Sequence, residues 1–140
     1  DQLTGSSFMD LLRGQGGNDT LIGGGGNDFL QGGAGDDQLL GGDGTDGLSG
    51  GSGDDTLFGQ LGDDIAYGGS GDDSIRGEAG SDTIFGGADS DNVDGGVDTD
   101  QVAGGSGEGS ADAGDVVTGL AEEIDEAFQL TPVPNWVKES

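Results

Sequence analysis

Residues 23–51 read GGGGNDFLQGGAGDDQLLGGDGTDGLSGG, and their composition and spacing point in opposite directions. Glycine, aspartate and an occasional leucine describe a flexible acidic linker. The spacing describes a nine-residue unit. Gly23, Gly32, Gly41 and Gly50 open successive units, Asp28, Asp37 and Asp46 follow each opening by five residues, and Leu30, Leu39 and Leu48 follow by seven. A sequence drifting under low complexity does not hold three residue types in register.

Followed outward, the unit recurs ten times without an insertion, from Gly14 to Ala103. With its positions numbered 1 to 9, position 1 is always glycine and position 6 always aspartate: Asp19, Asp28, Asp37, Asp46, Asp55, Asp64, Asp73, Asp82, Asp91 and Asp100. Position 8 is always aliphatic, from Leu21 to Val102, and position 4 is glycine in the first eight units. A weaker copy over 5–13 places Asp10 and Leu12 correctly, and Asp1–Thr4 supplies the end of another. The chain thus begins inside a repeat, and is expected to be a piece of a longer protein.

The totals restrict how such a chain can fold. It has 140 residues, 35 of them glycine, with 29 % hydrophobic residues and a formal charge of −26. Low hydrophobicity with high net charge leaves too little apolar surface to offset chain entropy, so the chain alone is expected to be unfolded or marginal. Arg13, Arg76 and Lys138 cannot neutralise 29 acids. The charge disfavours nucleic acid and anionic membranes and favours cations. With no cysteine and no histidine, disulfides and most zinc or general-base chemistry are excluded. No run is long enough to span a membrane.

Each position has a physical role. Positions 7 to 9 alternate out, in, out, which predicts a three-residue strand whose position 8 alone points inward. Positions 1 to 6 are then expected to reverse the chain, with glycine at 1, 2 and 4 allowing positive φ and close backbone approach. Two units make one coil of 18 residues, and coils stack at about 4.8 Å. The position-6 aspartates therefore fall into two columns of residues 18 apart. Stacked carboxylates repel, and a divalent cation between each vertical pair reverses the sign. Calcium, a hard ion taking about 6–8 oxygens from carboxylates and carbonyls, suits turns that offer little else. The position-5 acids Asp36, Asp54, Asp63 and Asp72 are expected to face solvent.

The unit G-G-x-G-x-D-x-U-x, with U aliphatic, resembles the calcium-binding nonapeptide of the RTX (repeats-in-toxin) family. GGAGDDQLL (32–40) and GGSGDDTLF (50–58) are close to its consensus, and the resemblance covers 14–103 strongly and 1–13 weakly. It implies an all-β, right-handed parallel β-roll of roughly six coils over 1–107, with calcium in the turns. It also implies a ligand set: position-6 aspartates of two adjacent coils, carbonyls of positions 2 and 4 of one turn, and carbonyls of positions 1 and 3 of the next. For Asp37 and Asp55 the carbonyls are Gly33, Gly35, Gly50 and Ser52. For Asp28 and Asp46 they are Gly24, Gly26, Gly41 and Asp43, and for Asp46 and Asp64 they are Gly42, Gly44, Gly59 and Leu61. For Asp55 and Asp73 they are Gly51, Gly53, Gly68 and Ser70. Gly62, Gly77 and Ala79 serve Asp64 and Asp82, while Gly69 and Gly71 serve Asp73 and Asp91. Up to ten calcium sites result, and ten ions would bring the net charge to −6 from −26. About eight are expected to be well formed, because Asp89 and Asp98 replace the position-4 glycine in the last two units and Ser6, Ser7, Phe8 and Met9 depart from the motif in the first.

After Gly107 the pattern dissolves. Residues 108–140 hold both prolines and the only tryptophan. They are expected to form a C-terminal cap, with a short helix over 119–129, although Ile124, Phe128 and Leu130 also fit a strand. The cap would act through Leu120, Ile124, Phe128 and Trp136. The family resemblance adds the expectation of a bacterial type I secretion signal in this tail. Outside the repeat signal, Ile22, Leu40 and Phe58 form one apolar ladder and Tyr67 and Phe85 another, either scattered surface residues or a docking face.

Enzyme-like motifs are absent. The only lysine is Lys138, so there is no P-loop, and Val93 stands where an EF-hand-like reading of 89–100 needs an oxygen. The expected function is a calcium-binding module that folds outside the cell as part of a larger secreted protein or beside neighbouring surface proteins. It would be a structural scaffold, the accessory module of a secreted hydrolase, toxin or polysaccharide-modifying enzyme, or part of an adhesin, filament or surface layer. Neither nucleic acid nor membrane insertion is expected.

Overall fold

The computed structural model describes residues 1–104 and the backbone of Val116–Thr118. All of its regular structure is strand. In chain order the strands are β1 (Gln2–Thr4), β2 (Leu11–Gly16), β3 (Thr20–Gly25), β4 (Phe29–Ala34), β5 (Gln38–Asp43), β6 (Gly47–Ser52), β7 (Thr56–Leu61), β8 (Ile65–Ser70), β9 (Ser74–Ala79), β10 (Thr83–Ala88), β11 (Asn92–Val97), β12 (Gln101–Ala103) and β13 (Val116–Thr118). Odd strands form one sheet and even strands the other. Every pairing is parallel, and through β12 each joins residues 18 apart, as Leu21 with Leu39 or Leu30 with Leu48. The molecule is therefore a parallel β-roll of about six coils, two nonapeptides to the coil.

The core is a single file between the sheets. Leu21, Leu30, Leu39, Leu48, Leu57, Ala66, Ile75, Ile84, Val93 and Val102 form one buried cluster, extended by Leu3 and Leu12. Position 8 supplies all of it, as the two-residue alternation requires. With one inward side chain per nonapeptide, the hydrophobic contribution per residue is small.

The strands are longer than the three residues that alternation alone predicts. Pairing resumes at positions 2 and 3, as in Gly24 with Gly42 and Gly25 with Asp43, so each of β2 to β11 has six residues and the turn narrows to positions 4 to 6. The glycines divide into two kinds. Positions 2 and 4 have positive φ, for example Gly33 at 118° and Gly35 at 124°. Position 1 does not; there a side chain has no room. A Cβ on Gly41 would lie 2.5 Å from the Asp46 carboxylate and 2.8 Å from the Gly59 carbonyl.

Where the motif lacks glycine at positions 2 and 4, the backbone keeps the conformation. Gln15, Gln60, Glu78, Asp89 and Asp98 have φ between 80° and 88°. These are costly conformations for residues with a Cβ. At the C-terminal end, β13 pairs with β11 through Asn92–Val116, Val93–Val117 and Asp94–Thr118, an offset of 24 residues where every earlier coil uses 18. A strand from the tail thus extends the odd-numbered sheet. The predicted helix at 119–129 and the capping residues Leu120, Ile124, Phe128 and Trp136 lie outside the described residues.

These geometries predict opposite effects for two substitutions. Glu78→Gly relieves a strained φ at an exposed position and should raise stability in saturating calcium by about 0.5–1 kcal/mol. Gly51→Ala puts a Cβ against the Gly33 backbone at a φ of 124°, and should cost about 2 kcal/mol or more. Urea midpoints of the two variants and the parent check both signs.

Candidate calcium-binding turns

The turns between the sheets gather the aspartates predicted from the motif. All ten position-6 aspartates from Asp19 to Asp100 are buried, each at most 3 % exposed. An isolated buried carboxylate is expensive, so its oxygens need partners. One oxygen has a partner supplied by the stacking. The backbone N–H of each position-6 aspartate donates to Oδ1 of the aspartate one coil further on: Asp37 to Asp55 at 2.7 Å, Asp55 to Asp73 at 2.8 Å, Asp46 to Asp64 at 2.8 Å. The ladder runs down both columns, from Asp10–Asp28 to Asp82–Asp100.

The other oxygen is different. Oδ2 of Asp19, Asp28, Asp37, Asp46, Asp55, Asp64, Asp73, Asp82 and Asp100 is buried without a hydrogen-bond partner. Each sits over the position-1 glycine of its own repeat and, from Asp19 to Asp82, faces the position-1 carbonyl one coil on. At Gly32 the pair is Asp37 Oδ2 and the Gly50 carbonyl; at Gly59 it is Asp64 Oδ2 and the Gly77 carbonyl. Two rows of electron-rich oxygens, one per coil, suit a cation. No three acidic side chains converge among the described residues. Any further ligands must come from backbone carbonyls, and calcium is the ion that takes them.

The carbonyls that the motif resemblance assigns lie between the same turns. Those of Gly33 and Gly35 face Gly51 and Gly53 on the next coil, and those of Gly24, Gly26, Gly42, Gly44, Gly62, Gly69 and Gly51, Gly53 occupy the same two positions of other coils, most of them against a glycine of the coil above. The position-3 carbonyls are partly engaged. Ser52 accepts from the Gly35 N–H at 2.8 Å, Asp43 from Gly26 at 2.9 Å, Leu61 from Gly44 at 2.8 Å, Ser70 from Gly53 at 2.9 Å and Ala79 from Gly62 at 2.8 Å, which leaves each carbonyl one lone pair. Asp37 and Gly50 are brought together directly, as are Asp28 and Gly41, Asp46 and Gly59, Asp55 and Gly68, and Asp64 and Gly77.

The first turn departs from this pattern. Asp10 Oδ2 accepts from the Ser6 N–H at 2.6 Å and the Ser6 hydroxyl at 2.8 Å, and is only half-buried. Ser6, standing where the motif has glycine, satisfies the oxygen that elsewhere has no partner.

Position 5 carries a second ladder that the motif does not reveal. Asp36 Oδ1 accepts from the Asp54 N–H, Asp54 Oδ1 from Asp72, Asp63 Oδ1 from Ser81 and Asp72 Oδ1 from Ser90, at 2.9–3.1 Å. These side chains are exposed, as expected, yet each links two coils. The sequence signal was the restriction of this position to Asn, Asp, Thr and Ser, residues that hydrogen-bond backbone in turns.

The family model for the RTX calcium-binding nonapeptide repeat (4 copies) matches in seven overlapping placements that together span residues 4–111. The chain belongs to this family. No curated protein and no solved structure matches it. RTX repeats bind calcium, and the oxygen rows of this roll fit that ion on charge, donor type and position. The residues that would hold it are the position-6 aspartates and the turn carbonyls, and the ion would neutralise carboxylates that the fold buries.

The burial leaves its mark on their acidity. Burial, opposed in part by the N–H bond and reinforced by the stacked neighbours, pushes Asp55 and Asp64 up to about 7, Asp73 up to about 8 and Asp82 up to about 6, and raises Asp37 and Asp46. An acid whose folded-state pKa is raised holds its proton more tightly folded than unfolded. Its contribution to the calcium-free roll is therefore fully present below the unfolded value near 3.8 and is lost as pH rises through about 6–8. In chelator, β structure measured by circular dichroism should grow as pH falls from 8 toward 4. A calcium-free signal that stays constant over this range would contradict the burial described.

Proposed function

We propose that this chain is a calcium-driven folding module of a larger secreted protein, a structural scaffold that assembles outside the cell. About eight ions, and at most ten, would occupy the two rows, the interior turns being filled best. The observation that carries this reading is the row of buried, unpartnered Oδ2 atoms. Such a roll is self-repelling without a cation, and its core of single side chains is too thin to compensate. Where calcium is scarce, as inside a cell, the chain would stay unfolded and fit for export. Where calcium is near millimolar, the roll would form. Export by a type I system, with its signal in residues 108–140, fits this order of events. The module's role is support rather than catalysis, since its acidic clusters are absorbed by the repeat. No helix of the described residues is long and apolar enough to cross a membrane.

A calcium titration followed by circular dichroism tests the reading, with two variants as internal controls. The parent should pass from disordered to β-rich. Asp55→Asn alters a mid-column oxygen between two turns and should raise the calcium midpoint about tenfold. Asp36→Asn keeps the Oδ1 that accepts from Asp54, and should shift it little. A β-rich parent in excess chelator at neutral pH, or equal shifts for the two variants, would overturn the proposal.

A further inference from the structure

The two edges of the roll do not carry the motif equally. On one edge three successive turns, 32–37, 50–55 and 68–73, have glycine at both positive-φ positions: Gly33 and Gly35, Gly51 and Gly53, Gly69 and Gly71. The residues that break the rule on that edge, Gln15 and Asp89, stand in its first and last turns. On the opposite edge the rule fails in the middle of the roll. Turn 59–64 has Gln60 at φ 88° and turn 77–82 has Glu78 at 80°, paired in register on adjacent coils. A Cβ at this position meets the position-2 carbonyl of the preceding coil: at Gly42 it would lie 2.1 Å from the Gly24 oxygen, and at Gly51 2.1 Å from the Gly33 oxygen. Gln60 and Glu78 carry that carbon opposite Gly42 and Gln60. Their φ is turned away from the 118–126° of Gly33, Gly51 and Gly69, as relief of that contact requires.

We infer that Gln60 and Glu78 lower the calcium affinity of the two sites that share Asp64, and so divide the mid-roll sites into two classes. The tight sites are Asp37–Asp55 and Asp55–Asp73 on one edge; the weak ones are Asp46–Asp64 and Asp64–Asp82 on the other. The aspartates themselves do not distinguish the edges. All five are buried, as is Asp82, and each accepts an N–H at Oδ1 and leaves Oδ2 without a hydrogen-bond partner. The difference lies in the carbonyl half of each site. The carbonyls of Gly42 and Gln60, opposite the two crowding side chains, are the position-2 ligands of the sites that share Asp64. Because such a turn takes its shape as the ion binds, the cost of its backbone conformation is subtracted from the binding free energy. The position-5 ladder favours the same edge. From Asn18 through Asp36 and Asp54 to Asp72, each Oδ1 accepts the next N–H at 3.0–3.1 Å. On the other edge this row reads Asn27, Thr45, Asp63, Ser81, and Thr45 interrupts the run of carboxamide and carboxylate oxygens. The roll then responds to calcium at two levels: one edge fixes the coils first, and the facing edge closes as calcium rises further.

This inference rests on the calcium-driven folding proposed above, and the two fail separately. Equilibrium dialysis of the full chain reads total bound calcium: no bound ion defeats the proposed function, whereas equal affinities on the two edges defeat only the present inference. The edges are resolved by amide resonances of the full chain, recorded across a series of buffered free-calcium concentrations. The folded-state signals of residues 42–46 and 60–64 should reach half intensity at about tenfold more calcium than those of 33–37 and 51–55. Gln60→Gly combined with Glu78→Gly removes both crowding carbons and relieves two strained φ values, so the variant folds at least as readily as the parent. In it the two midpoints should come within about twofold of each other, with residues 42–46 and 60–64 moving to lower calcium and 33–37 and 51–55 nearly unmoved. A general change in stability would move both groups together. Equal midpoints in the parent, a gap that persists in the double variant, or a joint shift of both groups would overturn the inference.

Discussion

The fold depends on the repulsion between carboxylates held one coil apart. A strand spacing of about 4.8 Å places each buried aspartate close to two like charges. The ladder of N–H bonds to Oδ1 binds the coils together, and the same ladder fixes Oδ2 where it has no donor. An asparagine there would keep the bond to Oδ1 and lose only the second oxygen. The backbone bond needs the side chain at that position, and a neutral side chain there would forfeit the affinity for a cation. The roll is thus held in a state that only an ion, or a set of protons, makes favourable.

The glycines are explained by the same constraint. Position 1 must be glycine because its Cβ would occupy the space between a carboxylate oxygen and the carbonyl of the next coil. Positions 2 and 4 must bend to positive φ so that carbonyls face the next turn. Where glutamine, glutamate or aspartate takes their place, the backbone is unchanged and the strain is local. Ser6 shows the other way a turn can depart from the pattern: a hydroxyl in the gap satisfies the oxygen that would otherwise call for calcium.

The nine-residue period was enough to derive the two sheets, the 18-residue coil, the single-file core and the two aspartate columns, because each follows from alternation and stacking. It could not show that Oδ1 and Oδ2 of one carboxylate have different tasks, since that depends on which backbone N–H a coil above or below presents. It also understated the strands, because the pairing of positions 2 and 3 is a contact between coils and leaves no alternation in glycine-rich sequence. The position-5 acids read as solvated and are exposed, but their hydrogen bonds to the next coil follow from turn chemistry rather than charge. Phe85 and Tyr67 were visible as a ladder; that Phe85 and Ala103 form a buried cluster with Ile65 and Tyr67 was not, because it depends on packing between strands 18 residues apart.

The central claim is that cations lie between successive position-6 aspartates in both columns. Diffraction from crystals grown with calcium, recorded where calcium scatters anomalously, tests it most directly. The account predicts two rows of anomalous peaks, spaced at about the strand separation, each within coordination distance of a pair such as Asp37 and Asp55, with the weakest or absent peak beside Asp10. A folded roll in saturating calcium with no anomalous density between these aspartates would contradict it.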